Sequence, residues 1–189
     1  MKRLFHHILI SVLLALLPTA ASAQKWAVEL NALSLVDFGT ISPEVSMSVA
    51  AHFSLHAGGK FNFWTFHSGD GEYIIQDQHK IAYIGVRYWP WYVYSGWWLS
   101  VKAEYLDYRT TGIWRPAVET GRGFGLGLGF GYTKMLNEHF NLDFGLGGIG
   151  GWLFDYRLNN SQTITSIREE GARPFLYPDM ILLGIMYVF

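Results

Sequence analysis

Hydrophobic residues alternate with small or polar residues over most of the chain beyond residue 24. The clearest stretch runs from Arg122 to Lys134 and reads R-G-F-G-L-G-L-G-F-G-Y-T-K. Successive side chains of a β-strand point to opposite faces, so this stretch predicts a strand with one apolar face and one nearly bare face. A helical period of 3.6 residues does not fit it.

Eight segments carry this period of two. We predict strands at 25–33, 44–50, 53–66, 79–89, 97–106, 122–134, 140–154 and 177–189. Short turns separate some of them, near Ala51-His52, from Pro90 to Gly96 and from Met135 to His139, and longer polar joins at 34–43, 67–78, 107–121 and 155–176 separate the others. This pattern is typical of an all-β, eight-stranded antiparallel transmembrane β-barrel with short periplasmic turns and longer external loops, in which about ten residues of tilted strand cross the membrane. A soluble sandwich or lipocalin-like barrel would carry the same alternation, because periodicity does not say which face is inside.

The last strand favours the membrane alternative. Ile185, Tyr187 and Phe189 occupy every second position up to the final residue. A terminal aromatic strand of this form resembles the signal that the barrel-assembly machinery of Gram-negative outer membranes recognises. The resemblance implies that Tyr187 and Phe189 form an assembly signal and that the protein lies among outer-membrane lipids.

The first 23 residues have the features of a cleaved signal peptide. Lys2 and Arg3 precede an apolar run from Leu4 to Leu17, and Ala21-Ser22-Ala23 provides small residues at a cleavage site. The run is too short to span a bilayer, so we expect cleavage after Ala23 and a single mature domain at 24–189.

Composition narrows the function classes. Half of the residues are hydrophobic and 17% are aromatic, and the chain has no cysteine, so disulfides do not stabilise it. Charge is nearly balanced, at −1 for the whole chain, which gives no basic surface for nucleic acid. Aromatic residues concentrate around one predicted periplasmic turn, where we expect a membrane-interface girdle formed by Trp89, Trp91, Tyr92, Tyr94, Trp97 and Trp98.

The phase of the strands places charged residues inside the predicted barrel. The predicted lumen network consists of Glu29, Glu44, Lys60, Arg87, Lys102, Glu104 and Asp143, with His56 able to join it. Buried charges require partners, and eight strands leave room only for side chains, so we expect a plugged lumen. Met180, Leu182 and Met186 are expected to fill part of the space beside the bare glycine face. A narrow gated pore that opens by exchange of ion-pair partners is the alternative.

No catalytic, cofactor or metal site emerges clearly. His67, Ser68 and Asp70 lie together on a predicted external loop, where outer-membrane lipid-modifying enzymes place Ser and His. Three adjacent polar residues are also ordinary turn chemistry, so we favour a non-enzyme and keep an outer-leaflet lipid-modifying enzyme as the alternative. His52 and His56 are four apart, which aligns ligands on a helix but not on strands.

Several short aromatic motifs resemble a family. These are Trp26-Ala27-Val28 with Asn31 and Leu33, Trp64-Thr65-Phe66, Val86-Arg87-Tyr88-Trp89 and the terminal Tyr187-Val188-Phe189. They look like a small outer-membrane β-barrel family of unknown function that is common in Bacteroides-type bacteria. The resemblance implies the fold and the location and carries no active site. We therefore expect a structural or interaction barrel whose external loops bind an envelope or surface protein.

Overall fold

The computed structural model describes residues 26–67, 74–111, 117–159 and 167–189. The predicted signal peptide, with its cleavage site after Ala23, lies outside these residues. One 3-10 turn, Leu33–Val36, is the helical element of the described chain, and none of the described helical structure is long and apolar enough to cross a membrane.

The described residues form a single antiparallel sheet that closes into a ring. Its strands are β1 (Trp26–Asn31), β2 (Pro43–Ala50), β3 (Phe53–Asn62), β4 (Thr65–His67), β5 (Ile74–Tyr88), β6 (Gly96–Thr111), β7 (Val118–Met135), β8 (Phe140–Asn159) and β9 (Ile167–Val188). β3 and β4 both pair with β5 and share one place, so the ring has eight strand positions. Pairing of β1 with β9, and of β3 with β5, completes the circle. The predicted all-β class and the eight antiparallel strands are confirmed.

The two ends of the ring differ in their connections. At one end, here called the turn end, the strands are joined through residues 51–52, 89–95 and 136–139. At the other, the loop end, the first connection runs through residues 32–42. Three of the predicted longer joins are wrong in extent. β5 begins at Ile74, inside the predicted join 67–78, and β6 continues to Thr111, inside the predicted join 107–121. β8 continues to Asn159 and β9 begins at Ile167, both inside the predicted join 155–176. Polar residues continue the strands there because cross-strand charge pairs such as Arg122–Asp107 (3.3 Å) accompany the backbone pairing.

The glycine-rich face of β7 and β8 points into the ring, where larger side chains from other strands fill its space. A Cβ atom on Gly145 would lie 2.7 Å from the Trp98 ring, and one on Gly127 would lie 2.9 Å from Cε of Lys102. Met180 packs over Gly147 as predicted, since its Cε would be 3.1 Å from a Cβ there. Leu182 and Met186 are buried nearer the turn end. The glycines therefore make room for a filled interior.

The predicted aromatic girdle is half wrong. Trp91, Tyr92 and Trp97 are exposed on the outside, but Trp89, Tyr94 and Trp98 are buried inside the ring. Strand phase explains two of the exceptions, because Trp89 continues the inward phase of Arg87, and Trp98 shares the inward phase of Lys102. Tyr94 lies in the turn itself, with a φ of +66°, and turns inward there.

Two buried apolar clusters lie inside the ring, one towards each end. The turn-end cluster comprises Ala27, Trp89, Tyr94, Trp98, Leu182, Met186 and Val188. The loop-end cluster comprises Leu106, Ile149, Leu153, Tyr156 and Phe175. The charged residues of the interior lie between these two clusters along the strands, so the interior of the ring, or lumen, is layered rather than uniformly polar.

Candidate functional site

Arg87 is the centre of the first charged layer. Its side chain is 3% exposed, and its guanidinium contacts three carboxylates, at 2.8 Å from Glu44, 2.9 Å from Asp143 and 3.4 Å from Glu29. The guanidinium also lies 4.5 Å from the centre of the Trp98 ring. A guanidinium can serve several carboxylates at once because its donors fan out in one plane. We call these four charged residues the arginine layer.

Cross-strand register explains why one arginine meets three acids. Glu29 on β1 pairs directly with Glu44 on β2, which places two like charges side by side on the inner face. Such a pair is destabilising by itself. Arg87 extends from β5 and contacts both glutamates. The same guanidinium contacts Asp143, which extends into the lumen from β8. The arginine layer therefore ties four strands together across the lumen.

Neutral donors complete this layer. Asp143 accepts hydrogen bonds from Trp98 Nε1 (2.7 Å) and Thr133 Oγ1 (2.9 Å). Tyr83 donates its hydroxyl to Glu44 (3.0 Å), and His56 Nδ1 lies 3.1 Å from the same carboxylate oxygen. Buried carboxylates need this number of partners, because each unsatisfied charge in the interior is costly.

Two lysines and two acids form a second layer, nearer the loop end. Asp179 accepts hydrogen bonds from Lys60 and Lys102, both at 2.6 Å, and Lys102 also contacts Glu104. The ammonium of Lys102 lies 4.8 Å from the centre of the Tyr83 ring, and Tyr83 thereby connects this lysine layer to the arginine layer. The structure thus brings all seven predicted lumen residues and His56 into one connected set.

Asp179 is the member that the sequence pattern missed. Strict alternation from Met180, which points inward, places Asp179 on the outside. The pairing of β8 with β9 shifts at this point, because Gly147 faces Met180 while Gly148 faces Pro178. Asp179 is the extra residue of this β-bulge and turns into the lumen. Proline at 178, which has no N–H group for the ladder, is the sequence signal that could have indicated the bulge.

Little free space remains between the two layers. The cavity bounded by both has a volume of about 30 Å³, close to the volume that one water molecule occupies in the liquid. A larger cavity of about 450 Å³ lies on the loop side of the lysine layer, with Glu104 and Asp179 among its lining residues. The charged layers therefore occlude the middle of the lumen and leave space above it.

Among the described residues, Asp37, Asp77 and His79 form the group best suited to holding a metal ion. Their potential ligand atoms lie within 4.8 Å of one another at the loop end, and oxygen and imidazole ligands together suit several divalent cations. Partial burial and the neighbouring Asp77 raise the pKa of Asp37 above its usual value. Thr40 contacts both Asp37 (3.3 Å) and His79 (3.4 Å), so hydrogen bonds already account for the arrangement.

The remaining predicted residues are placed as follows. Ser68 and Asp70 lie outside the described residues, as does the side chain of His67, and the structure therefore supplies no geometry for the enzyme alternative. His52 contacts the backbone oxygen of Trp89 (2.9 Å), whereas His56 joins the arginine layer. Tyr187 and Phe189 point outward, and the backbone of Phe189 pairs with that of Trp26 where the ring closes.

Comparisons with known proteins identify one family and no individual related protein. No curated protein matches the chain, and no solved structure matches it. One family model, described as a protein of unknown function (DUF3575), matches residues 8–189, which is nearly the whole sequence. The protein therefore belongs to the DUF3575 family of proteins of unknown function.

Proposed function

We propose that the protein is a small outer-membrane β-barrel whose lumen is closed by paired charges, and that it acts as a structural or interaction protein through its loop end. The observation that carries this proposal is the distribution of side chains between the two faces of the ring. Phe124, Leu126 and Leu128 are each more than 60% exposed on the outside, while Arg87 and Asp143 are buried inside. A soluble barrel would have the opposite arrangement.

The outward face of β7 supports a membrane-spanning band of limited height. Its residues read Arg122, Phe124, Leu126, Leu128, Phe130, Tyr132 and Lys134. The apolar part covers eight residue steps, which at ~3.3 Å per residue and a ~40° tilt corresponds to about 20 Å along the barrel axis. This is close to the ~25 Å apolar band of outer-membrane barrels, and charged residues flank it on both sides.

Exposed aromatic rings occur at both edges of this band. Towards the turn end, Trp97 contacts Tyr132 with ring centres 5.2 Å apart, and Phe140 contacts Tyr187 at 5.1 Å. Towards the loop end, Phe124 contacts Tyr105 at 5.1 Å. Amphipathic aromatic side chains favour the interface between lipid tails and head groups. These positions support the proposed orientation across a bilayer better than the six-residue girdle that the sequence predicted.

The charged layers argue against a porin. An ion that crosses the barrel would have to displace the Arg87 and Lys102 pairs or pass through the ~30 Å³ left between them. We therefore infer that the loop end, rather than a channel, is where the protein meets its partners. The predicted signal peptide supports export across the inner membrane. The Tyr187–Phe189 pattern supports insertion by the barrel-assembly machinery.

Fractionation and electrical recording test the proposal together. The mature chain is expected in the outer-membrane fraction and should migrate faster on a gel when unheated than when boiled. The purified barrel in a planar bilayer is expected to give no sustained conductance. Recovery from the soluble periplasm would refute the membrane location, and steady porin-like currents would refute the closed lumen in favour of a gated pore.

A further inference from the structure

A cavity of about 450 Å³ lies on the loop side of the lysine layer, and its lining changes with depth. Glu104 and Asp179 form its floor. Ile81 and Leu106, which pair across β5 and β6, line its wall one step closer to the loop end. This volume lies within the usual range of small-molecule sites.

The wall is apolar and aromatic. Ile149 and Phe175 belong to the buried loop-end cluster, and the ring of Phe175 stacks on that of Tyr177 with centres 5.3 Å apart. Flat aromatic faces attract cations as well as apolar groups, because the ring carries negative charge on its faces. The middle of the cavity therefore suits the hydrocarbon body of a ligand.

The rim of the cavity is acidic. Asp77 on β5 and Glu119 on β7 line it at the loop end. Both are cross-strand neighbours of Thr110 on β6, which lies between these two strands. Asp37 lies close enough to Asp77 to form part of the same three-residue group. Glu119 also accepts a hydrogen bond from Tyr108 (2.8 Å), which holds its carboxylate at the cavity wall.

Among the described residues that line this cavity, the lining contains no lysine or arginine, and its one histidine, His79, lies 3.8 Å from Asp77. Lys60 and Lys102 contact Asp179 from the turn side, and Arg173 approaches Glu119 at 3.6 Å. The four lining carboxylates therefore outnumber the three lysine and arginine partners, with His79 as an imidazole neighbour of Asp77, and Asp37 adds a further acid at the rim. Negative charge is thus in excess where the cavity opens, while its interior is apolar.

We propose that this cavity binds a small apolar molecule that carries one ammonium group, with its body against Ile149 and Phe175 and its charge at the Asp77–Glu119 rim. The inference deepens the proposed function and rests on it only in that the charged layers of the described residues close the cavity on its turn side, so that a ligand enters from the loop end. A porin-like current would overturn the plug without affecting ligand binding, so the two ideas fail separately.

Titration calorimetry of the full mature protein in dodecylmaltoside micelles tests this inference. Three probes share one ring and differ in charge: phenethylammonium, 2-phenylethanol and 3-phenylpropanoate. Heat from micelles without protein is subtracted. We expect the ammonium ion to bind about tenfold or more tightly than the alcohol, because a charge-assisted hydrogen bond contributes at least that factor, and the carboxylate to bind most weakly. Equal binding of all three probes would overturn the proposal.

Variants locate the binding. Asp77→Asn with Glu119→Gln should weaken phenethylammonium about tenfold or more, whereas Glu170→Gln, which removes an exposed acid outside the cavity, should leave it unchanged. Ile149→Trp should abolish binding by filling the cavity while the rim stays intact. Faster gel migration of the unheated sample than of the boiled sample verifies that each variant is folded. If the double variant does not fold, the affinity of Asp77→Asn alone for phenethylammonium tests the rim. Native affinity in Ile149→Trp or in the rim variant would overturn the site.

Discussion

Removing the guanidinium of Arg87 should destabilise the protein far more than removing an exposed one. Arg87→Ala would leave three carboxylates, of Glu29, Glu44 and Asp143, without the cation that they share at 2.8–3.4 Å. Breaking a buried ion pair by removing one partner typically costs about 3–5 kcal/mol. Because Arg87 serves three acids and also contacts the Trp98 ring, we expect a loss of unfolding free energy at the upper end of that range.

Arg122→Ala is the matched control. Arg122 is 54% exposed and lies 3.3 Å from Asp107 on the outer face, and exposed pairs of this kind contribute about 1 kcal/mol or less. Urea unfolding of both variants, refolded into lipid vesicles, is followed by tryptophan fluorescence and by gel mobility without heating. The unfolding midpoint should fall strongly for Arg87→Ala and hardly at all for Arg122→Ala.

A double variant separates the contribution of the Arg87–Glu44 ion pair from the effect of lost side-chain packing. Arg87→Met with Glu44→Gln removes charge from both partners, so it should cost less than the sum of the two single variants. Additive losses would show that the ion pair itself contributes little. Equal stability of Arg87→Ala and the native protein would refute the arginine layer as a structural element and, with it, the closed lumen.

Three further outcomes are expected. Gly145→Ala should lower the unfolding free energy by about 1–3 kcal/mol because its Cβ would lie 2.7 Å from buried Trp98, whereas Gly150→Ala, 3.4 Å from Leu176, should not; equal midpoints would contradict this packing. Phe189→Asp should leave the protein unassembled and protease-sensitive, unlike Leu136→Asp in an exposed turn, and normal gel mobility of Phe189→Asp would disprove the assembly signal. Asp37→Asn should raise the melting temperature at pH 7 but not at pH 3, since the raised pKa of Asp37 disfavours its ionised form in the folded protein and both states are protonated in acid; an equal effect at both pH values would contradict this.

The position of each main strand and the phase of its side chains could be predicted from the amino-acid sequence alone. Alternation of side chains between faces is a local consequence of extended backbone geometry, so the R-G-F-G-L-G-L-G pattern before Lys134 was sufficient to place β7. The phase also predicted that Arg87, Lys102 and Asp143 lie on the same face of the sheet. The same phase places Trp98 inside with Lys102, contrary to the girdle prediction.

Which face lies inside, and which charged side chains contact each other, depends on how the strands close into a ring. Ring closure puts the glycine face of β7 against Trp98 and Lys102, contacts between strands that no local pattern encodes. The inward turn of Asp179 depends on a register shift between β8 and β9, and that of Tyr94 on a positive φ in a turn. Strand alternation describes neither, because the register shift results from how β8 and β9 fit together and Tyr94 lies in a turn, where the period of two does not apply.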